Sequence, residues 1–271
     1  MSKSGICSQK EEIELMKNYL KAEYNMTIPP ETSSAEVLKI LMNKLNIHDE
    51  LKLWQNSDFS NYVGERTAIK VVNKIFKPEG PCNSTRLLDN YNIDNSLEQW
   101  SQHGIEMFKK KFYHVPFQMI DFAKTNSELA RLRIDDLIKK GYDCFGVILN
   151  TDVSSGRGLH WFCIYGDLQH KGTKDDPIAL EFFNSSGNPP VLEIEIWMRK
   201  VVRDLQAAGI TCKIIRSIPQ RIQFSNTECG VFSLIYILSR LENKPTNWFY
   251  NVKAGDKDMI RYRQVLFRCS N

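Results

Sequence analysis

Residues 223–237 read Gln-Phe-Ser-Asn-Thr-Glu-Cys-Gly-Val-Phe-Ser-Leu-Ile-Tyr-Ile, a polar turn followed by an apolar run. Asn226 and Thr227 are residue types that open helices, so we predict that they form the turn and the cap. The apolar residues that follow recur at the spacing of one buried helical face: Val231, Leu234, Ile235 and Leu238. Cys229 therefore stands at the start of a buried helix.

The position of Cys229 favours a reactive sulfur. Unpaired N–H groups and the positive end of the helix dipole stabilise a thiolate, so we expect the pKa of this thiol to lie below its usual value of about 8.5. A cysteine beside an apolar helix can equally be a small buried hydrophobe. A base and an orienting group within reach of the sulfur would distinguish a nucleophile from a packing residue.

Two strand-like segments upstream supply both groups. Residues 158–167 form an aromatic and β-branched run that we predict to be a strand beginning at His160. Residues 178–183 form the next such run, which ends in a cluster of turn residues at Asn184. If the two strands pair antiparallel, His160 lies beside Asn184. Asp167 is the alternative carboxylate, but at roughly 3.3 Å per residue it lies at the far end of the His160 strand.

This set of motifs resembles the adenovirus-protease and SUMO-protease (Ulp1-like) superfamily of cysteine peptidases, and within it the African swine fever virus type of polyprotein-processing protease. The similarity rests on His160-Trp161, on the polar residue that ends the next strand, and on Gln223 six residues before Cys229-Gly230. Residues 145–152, 183–188 and 266–268 are also similar to that type. The resemblance covers the chain from residue 78 to its C-terminus.

The resemblance implies a role for each site residue. Cys229 is the nucleophile, His160 is the base, and Asn184 orients the imidazole, although the superfamily usually has an acidic residue at that place. An amide can accept the imidazole hydrogen bond without stabilising imidazolium by charge. Gln223 is the side-chain donor to the oxyanion, with Asn226 as the alternative because it also lies just upstream of the cysteine.

The resemblance also implies a narrow channel over the substrate backbone that admits only glycine next to the cut. Trp161 would cover this channel and Tyr91 would be the opposing aromatic side chain. For both rings the other interpretation is that they pack in the core.

Composition narrows the class of protein. The chain has 271 residues and a net charge of +4, without a dense basic run, so we predict no specific nucleic-acid partner. Its seven cysteines include no Cys-x-x-Cys pair, and we expect no metal, no cofactor and no disulfide framework. We see no signal peptide and no segment long enough to span a membrane.

The pattern of elements predicts an α+β fold, with a mixed central sheet flanked by helices and a small all-helical N-terminal arm domain. Residues 77–85 collect Pro, Gly and turn residues, so we place a boundary between domains 1–77 and 78–271. Helices are predicted in the first domain at residues 9–25, 32–45, 49–55 and 65–76. In the second domain we predict helices at 93–100, 127–140, 193–208 and 256–268, and strands at 112–119, 144–149, 159–166, 178–183 and 212–218.

The resulting hypothesis is a viral cysteine endopeptidase that cleaves polyprotein precursors at Gly-Gly-Xaa sites, in the host-cell cytoplasm and in the virion. Host proteins are further candidate partners, and the oligomeric state stays open. An isopeptidase acting on ubiquitin-like proteins is the main alternative. An acetyltransferase and a binding module with an inactive site are two others; the match at Gln223 argues against the first, and the intact set of site residues argues against the second.

Overall fold

The computed structural model describes residues 8, 10–48, 50–75 and 77–269. It divides the chain into two compact units, Met1–Lys77 and Pro78–Asn271. Each unit has its own apolar core.

The first unit is a bundle of short helices around a core that includes Met16, Leu41, Trp54 and Phe59. Its helices are α1 Lys10–Tyr24, α2 Ser34–Lys44, α3 Glu50–Trp54, α4 Ser57–Val63 and α5 Glu65–Ile75. Ser33 and Glu36 form a capping box that opens α2. Helix α4 was not predicted; it is opened by the Asn56 side chain, which accepts from the Phe59 backbone N–H at 3.0 Å. The predicted helix ends at Asp49 and Phe76 lie outside the described residues.

The second unit carries the sheet. Its strands are β1 Glu79–Gly80, β2 Phe112–His114, β3 Gln118–Met119, β4 Cys144–Asn150, β5 Trp161–Asp167, β6 Ile178–Phe183, β7 Cys212–Arg216 and β8 Arg268–Cys269. Its helices are α6 Asn90–Phe108, α7 Glu128–Arg131, α8 Ile134–Lys139, α9 Leu192–Ala207, α10 Cys229–Leu241, α11 Trp248–Asn251 and α12 Asp256–Leu266. The presence of both helices and strands in this unit confirms the predicted α+β class.

The central sheet has the order β2-β4-β5-β6-β7, and β3 also pairs with β4. The sheet is mixed: β4, β5 and β6 are antiparallel neighbours, whereas β2 and β3 run parallel to β4, and β7 runs parallel to β6. The antiparallel pairing of β5 with β6 confirms the prediction from the sequence. Its register, with Cys163 opposite Phe183, brings the start of β5 beside the end of β6.

Side chains alternate between the two faces of the sheet, and each face has its own core. From β5, Trp161, Cys163 and Tyr165 join the core that contains α10, while Phe162 and Ile164 join the core that contains α9. Helix α10 is buried along nearly its whole length, as expected for a helix that is apolar on all sides. The sheet and this buried helix together hold the start of α10 against the start of β5.

Three predicted elements differ from the structure. The strand expected at 112–119 is two short strands, because Pro116 between them has no N–H to donate to a neighbouring strand. The helix expected at 127–140 breaks between α7 and α8. Leu129 and Ile134 both pack in one core, and an unbroken helix would place these side chains about 140° apart. The helix expected at 93–100 is longer because Asp89 caps it three residues earlier, at Asn90.

The ends of the second unit meet, which the sequence did not predict. Strands β1 and β8 pair in parallel, and Arg268 forms an ion pair with Glu79 at 3.1 Å. The helix expected at 256–268 therefore ends at Leu266, where α12 ends, and the chain continues as β8. Cys82 is disulfide-bonded, contrary to our expectation, because spacing along the chain does not show which side chains meet. Four cysteines of the second unit are free: Cys144, Cys163, Cys212 and Cys229.

Within the described ranges, no helix has both the length and the apolar character needed to cross a membrane. Nor do three or more His, Cys, Asp or Glu side chains come together there in a way that could hold a metal ion.

Candidate active site

Cys229 is the first residue of α10 and its side chain is 3% exposed. The helix is not capped where the sequence predicted. Its N-cap is Glu228, which makes no side-chain cap bond. A glycine suits position 230 because Leu88 packs against its backbone: a Cβ there would lie 3.1 Å from the Leu88 Cβ. The start of α10 is thus enclosed by protein on several sides.

Burial raises the pKa of the Cys229 thiol, opposite to our expectation from its helical position. The backbone N–H groups of Trp161, Gly230 and Cys229 itself favour the thiolate, but the loss of water around the sulfur outweighs them. The resting site therefore holds a neutral thiol. A base must remove its proton before the sulfur can attack.

We expect this raised pKa to appear in the alkylation kinetics of Cys229. The thiolate is the species that reacts with iodoacetamide, so the rate should rise with pH through a midpoint above the ordinary thiol value of about 8.5. The measurement is the rate of Cys229 carbamidomethylation, followed by peptide mass spectrometry between pH 5 and about pH 10. A midpoint near pH 6 would show instead that backbone N–H groups dominate over burial.

His160 and Asn184 lie in direct contact. The imidazole Nε2 and the Asn184 Oδ1 are 2.8 Å apart. The same oxygen accepts from the Ser186 backbone N–H at 3.1 Å and from the Ser186 hydroxyl at 2.9 Å, while the Asn184 amide donates to the Asn188 carbonyl at 3.3 Å. These contacts assign the amide orientation, so Nε2 carries the proton and Nδ1 is left with its lone pair.

His160 lies just before β5 rather than within it, and its carbonyl accepts from the Thr151 N–H at 2.9 Å. Among the hydrogen bonds of the described residues, none joins the Cys229 thiol to the imidazole. The sulfur is instead near the backbone N–H of Trp161, the residue that follows His160. The thiol therefore lies beside the residue that follows His160 in the chain.

The geometry removes Asp167 as an orienting group. Its carboxylate lies at the opposite end of β5, in contact with Arg240 at 3.2 Å and His170 at 3.8 Å.

Gln223 is buried beneath the residues that precede Cys229. Its Oε1 accepts from the Ser185 hydroxyl at 2.6 Å and its Nε2 donates to the Ser225 carbonyl at 2.9 Å. One amide hydrogen of Gln223 remains for an oxyanion. Asn226, the alternative donor, is exposed, and none of the hydrogen bonds between described residues involves its side chain.

Cys229 lines a cavity of about 400 Å³. Its wall includes Trp161, whose indole N–H donates to the Leu88 carbonyl at 3.2 Å and whose ring meets Phe117 edge-on at 6.1 Å. Tyr91 does not line this cavity and is 72% exposed. Phe117 packs against Trp161 in this wall, a contact that sequence reasoning missed; its only signal was an aromatic residue directly after Pro116.

A second cavity, of about 290 Å³, lies on the other side of the imidazole. Its wall includes His160 and Asn184 together with the apolar side chains of Phe162, Phe182 and Val191. Of these two cavities, Cys229 borders the first and His160 borders the second. The two groups therefore face two separate spaces on the surface.

The turn before Cys229 is held by a buried ion pair that the sequence analysis did not identify. The Arg263 guanidinium donates to both carboxylate oxygens of Glu228, at 2.9 and 3.0 Å, and both side chains are almost completely buried. Arg263 also contacts the carbonyls of Thr227 and Pro81 at 3.4 Å. The only signal in the sequence was an acidic residue directly before the cysteine.

The fold and this arrangement define the class: the protein is a cysteine peptidase. No protein-family model matches the chain. A "SUMO-1 cysteine protease" of African swine fever virus is 34% identical to it over 206 residues, which cover 71% of this chain and 72% of that protein. The chain belongs to the family of African swine fever virus cysteine proteases, as its motifs predicted.

Solved structures agree with this assignment. A crystal structure of the African swine fever virus protease matches with a TM-score of 0.65 and 26% identity, over 100% of this chain and 94% of that one. This match confirms the predicted type of fold. The SUMO protease Ulp1 is a more distant likeness, with a TM-score of 0.43 and 17% identity over 68% of this chain and 77% of that one.

Proposed function

We propose that this viral cysteine protease is an endopeptidase that cleaves polyprotein precursors after Gly-Gly during virion maturation. The observation that carries the proposal is the wall beside Cys229. Trp161 is held on one side by the Leu88 carbonyl and on the other by the Phe117 ring. A rigid indole next to the nucleophile leaves little room for side chains, so glycines fit best beside the scissile bond.

In this mechanism Cys229 and His160 act as nucleophile and base. The imidazole Nδ1 takes the thiol proton as the sulfur attacks the substrate carbonyl. The backbone N–H of Cys229 and the remaining amide hydrogen of Gln223 stabilise the oxyanion. The carbon–nitrogen bond then breaks, and the leaving amine takes the proton from Nδ1. Water, deprotonated by the same nitrogen, hydrolyses the thioester and restores the thiol.

Because burial keeps the thiol neutral, proton transfer to His160 belongs to the attack step. The Asn184 amide oxygen accepts from Nε2–H and so selects the tautomer of the neutral imidazole in which Nδ1 can accept a proton. No ionised partner for the imidazole is required for this role. Asn184 is therefore a sufficient orienting group at a position where the superfamily that the motifs resemble usually has a carboxylate.

The experiment compares peptides that differ only at the two positions before the cut. Purified full-length protein is incubated with Gly-Gly-Ala, Ala-Gly-Ala and Gly-Ala-Ala peptides in one flanking sequence, and products are identified by mass spectrometry. We expect cleavage after the second glycine and a loss of at least about 100-fold for either alanine, since a 1 Å misplacement can cost that much. Equal cleavage of all three would reject the proposal.

A second candidate activity is removal of ubiquitin-like proteins, and it is favoured by the "SUMO-1 cysteine protease" name of the relative. Both activities need a channel for Gly-Gly. A ubiquitin-like probe with a C-terminal electrophile distinguishes them, because rapid labelling of Cys229 by the probe, but not by a Gly-Gly peptide electrophile, would favour the isopeptidase.

The proposal extends to the setting of the protein. Polyprotein precursors are the partners, the host-cell cytoplasm and the virion are the locations, and the helical unit that ends at Lys77 is an arm domain appended to the protease unit. Immunoblots of purified particles test the location: a chain confined to infected cytoplasm and absent from particles would contradict it.

Alanine variants of His160 and Asn184 distinguish the role of the base from the role of its orienting group. His160→Ala should abolish cleavage, because general acid–base catalysis alone contributes about 100- to 10,000-fold. Asn184→Ala should leave partial activity, since the imidazole remains but is no longer held. Asn184→Asp, which keeps the acceptor oxygen, is the control and should exceed Asn184→Ala. The measurement is kcat/KM on a Gly-Gly peptide, and equal losses in the His160 and Asn184 alanine variants would contradict these roles.

A further inference from the structure

Arg157 lines the cavity that contains Cys229, and it is the only basic side chain among the described residues in that lining. It is exposed, and no hydrogen bond or ion pair joins its guanidinium to another described residue. A guanidinium presents donors in a planar fork that matches a carboxylate. An unengaged guanidinium on the wall of a substrate cavity is a candidate for recognising an anion.

None of the neighbouring carboxylates of the described residues forms an ion pair with this cation; each accepts hydrogen bonds from other groups. Asp152 accepts from the backbone N–H groups of Val153 and Gly158, at 2.9 and 3.0 Å. Asp121 accepts from the backbone N–H and the hydroxyl of Ser154, at 3.0 and 2.7 Å. Asp89, the acidic residue in the cavity lining, accepts from the Asn92 N–H at 2.9 Å and lies 3.9 Å from Arg86.

The loop that carries Arg157 has a fixed path. The Asn150 carboxamide oxygen accepts from the N–H groups at both ends of the loop, Asp152 at 3.0 Å and Leu159 at 2.9 Å. The residues on either side of Arg157 are glycines for physical reasons. A Cβ on Gly156 would lie 2.1 Å from the Asp152 carboxylate, and Gly158 has a φ of +89°. The backbone thus presents Arg157 from a hydrogen-bonded loop.

The chemistry of the reaction says which half of the substrate meets this loop. The acyl half becomes bonded to the Cys229 sulfur, and the amine half takes its proton from the imidazole. The cavity that Cys229 borders also has Trp161 in its wall, which the proposed function places beside the glycines before the cut, so this cavity receives the acyl half. We propose that Arg157 selects substrates with an acidic side chain upstream of the glycine pair. This inference rests on the proposed function and adds a specificity element to it.

The test uses full-length protein and a set of Gly-Gly peptides in which one upstream position at a time carries Asp, Asn or Lys. At the responsive position kcat/KM should be roughly tenfold higher for Asp than for Lys. Attraction of Asp and repulsion of Lys at an exposed cation each contribute up to about fivefold. The ratio should shrink between about 0.05 and 0.5 M salt because the charges are screened.

Two variants with the same change in charge separate recognition from net charge. Arg157→Glu should invert the preference so that Lys is favoured over Asp. Lys174→Glu, on the exposed connection between β5 and β6, is the matched control and should keep the wild-type preference and rate. Unfolding temperatures of both variants are measured to show that they are folded. An Arg157→Glu variant that still prefers Asp, or a wild type indifferent to charge at every upstream position, would overturn the inference.

A binding measurement separates this inference from the proposed cleavage. The Cys229→Ala variant is titrated with fluorescent Asp and Lys peptides, and anisotropy gives Kd values with and without the additional Arg157→Glu change. Tighter binding of the Asp peptide that depends on Arg157 supports the inference even if wild type cuts no Gly-Gly peptide, a result that rejects only the proposed function. Cleavage of Gly-Gly peptides without any Asp preference rejects only the inference.

Discussion

Cys229→Ala is expected to lower kcat/KM on a Gly-Gly peptide by a factor on the order of 10⁵ or more. Removing the sulfur removes the thioester route altogether, and what remains is the weak acceleration from binding and from oxyanion donors. Peptide binding should persist, because the cavity wall formed by Trp161, Leu88 and Phe117 does not depend on the sulfur. The measurement is product formation over hours at high protein concentration, together with the Kd of a fluorescent peptide.

The matched control is Cys212→Ala. This cysteine is also free and lies at the start of β7, beside Ile178 at the end of β6 opposite to Asn184. Burial raises the pKa of its thiol to about 11. It should therefore retain full activity and should alkylate slowly at neutral pH. Turnover by the Cys229→Ala variant at a rate near that of the wild type would exclude Cys229 as the nucleophile and would remove the basis of the mechanism.

Arg263→Leu is expected to destabilise the protease unit by about 3–5 kcal/mol. The substitution leaves the Glu228 carboxylate buried without its two charge-assisted hydrogen bonds, and an uncompensated buried charge carries a penalty of this size. Any folded fraction should also have a lower kcat, because Glu228 precedes the nucleophile and would move to reach water. The measurement is urea unfolding, with peptidase activity recorded below the transition.

Two variants distinguish the buried charge from lost packing. The double variant Glu228→Leu with Arg263→Leu removes both charges, so it should recover much of the lost stability. Arg199→Leu breaks an exposed ion pair to Glu195, of 2.8 Å, and should change stability by less than about 1 kcal/mol. If Arg263→Leu were as mild as Arg199→Leu, the ion pair would not be what holds the turn before Cys229.

Local sequence patterns predicted the parts of the fold that depend on neighbouring residues. The period of the apolar residues indicated α10, and the turn cluster at the end of β6 placed Asn184 beside His160 once the strands paired antiparallel. The capping box of α2 was visible as Ser33 and Glu36 because both partners lie within one helical turn.

Predictions that depended on distant contacts were wrong or incomplete. Tyr91 is exposed and Phe117 packs against Trp161, because the path of the chain between α6 and β4 decides which ring contacts the indole. The N-cap of α10 is Glu228, whose carboxylate makes no cap bond to the helix. It accepts instead from Arg263, 35 residues further along the chain. Nothing in the local sequence identifies that partner.

The amino-acid sequence by itself determined which groups can do chemistry: a thiol at the start of an apolar helix, an imidazole before one strand and an amide after the next. These follow from local periodicity and residue type, which act over a few residues. Only the tertiary structure decided the protonation of the thiol, since desolvation by the surrounding core raises the pKa of Cys229 against the effect of nearby N–H groups. Burial is a sum over contacts made by the whole unit, so no short stretch of sequence encodes it.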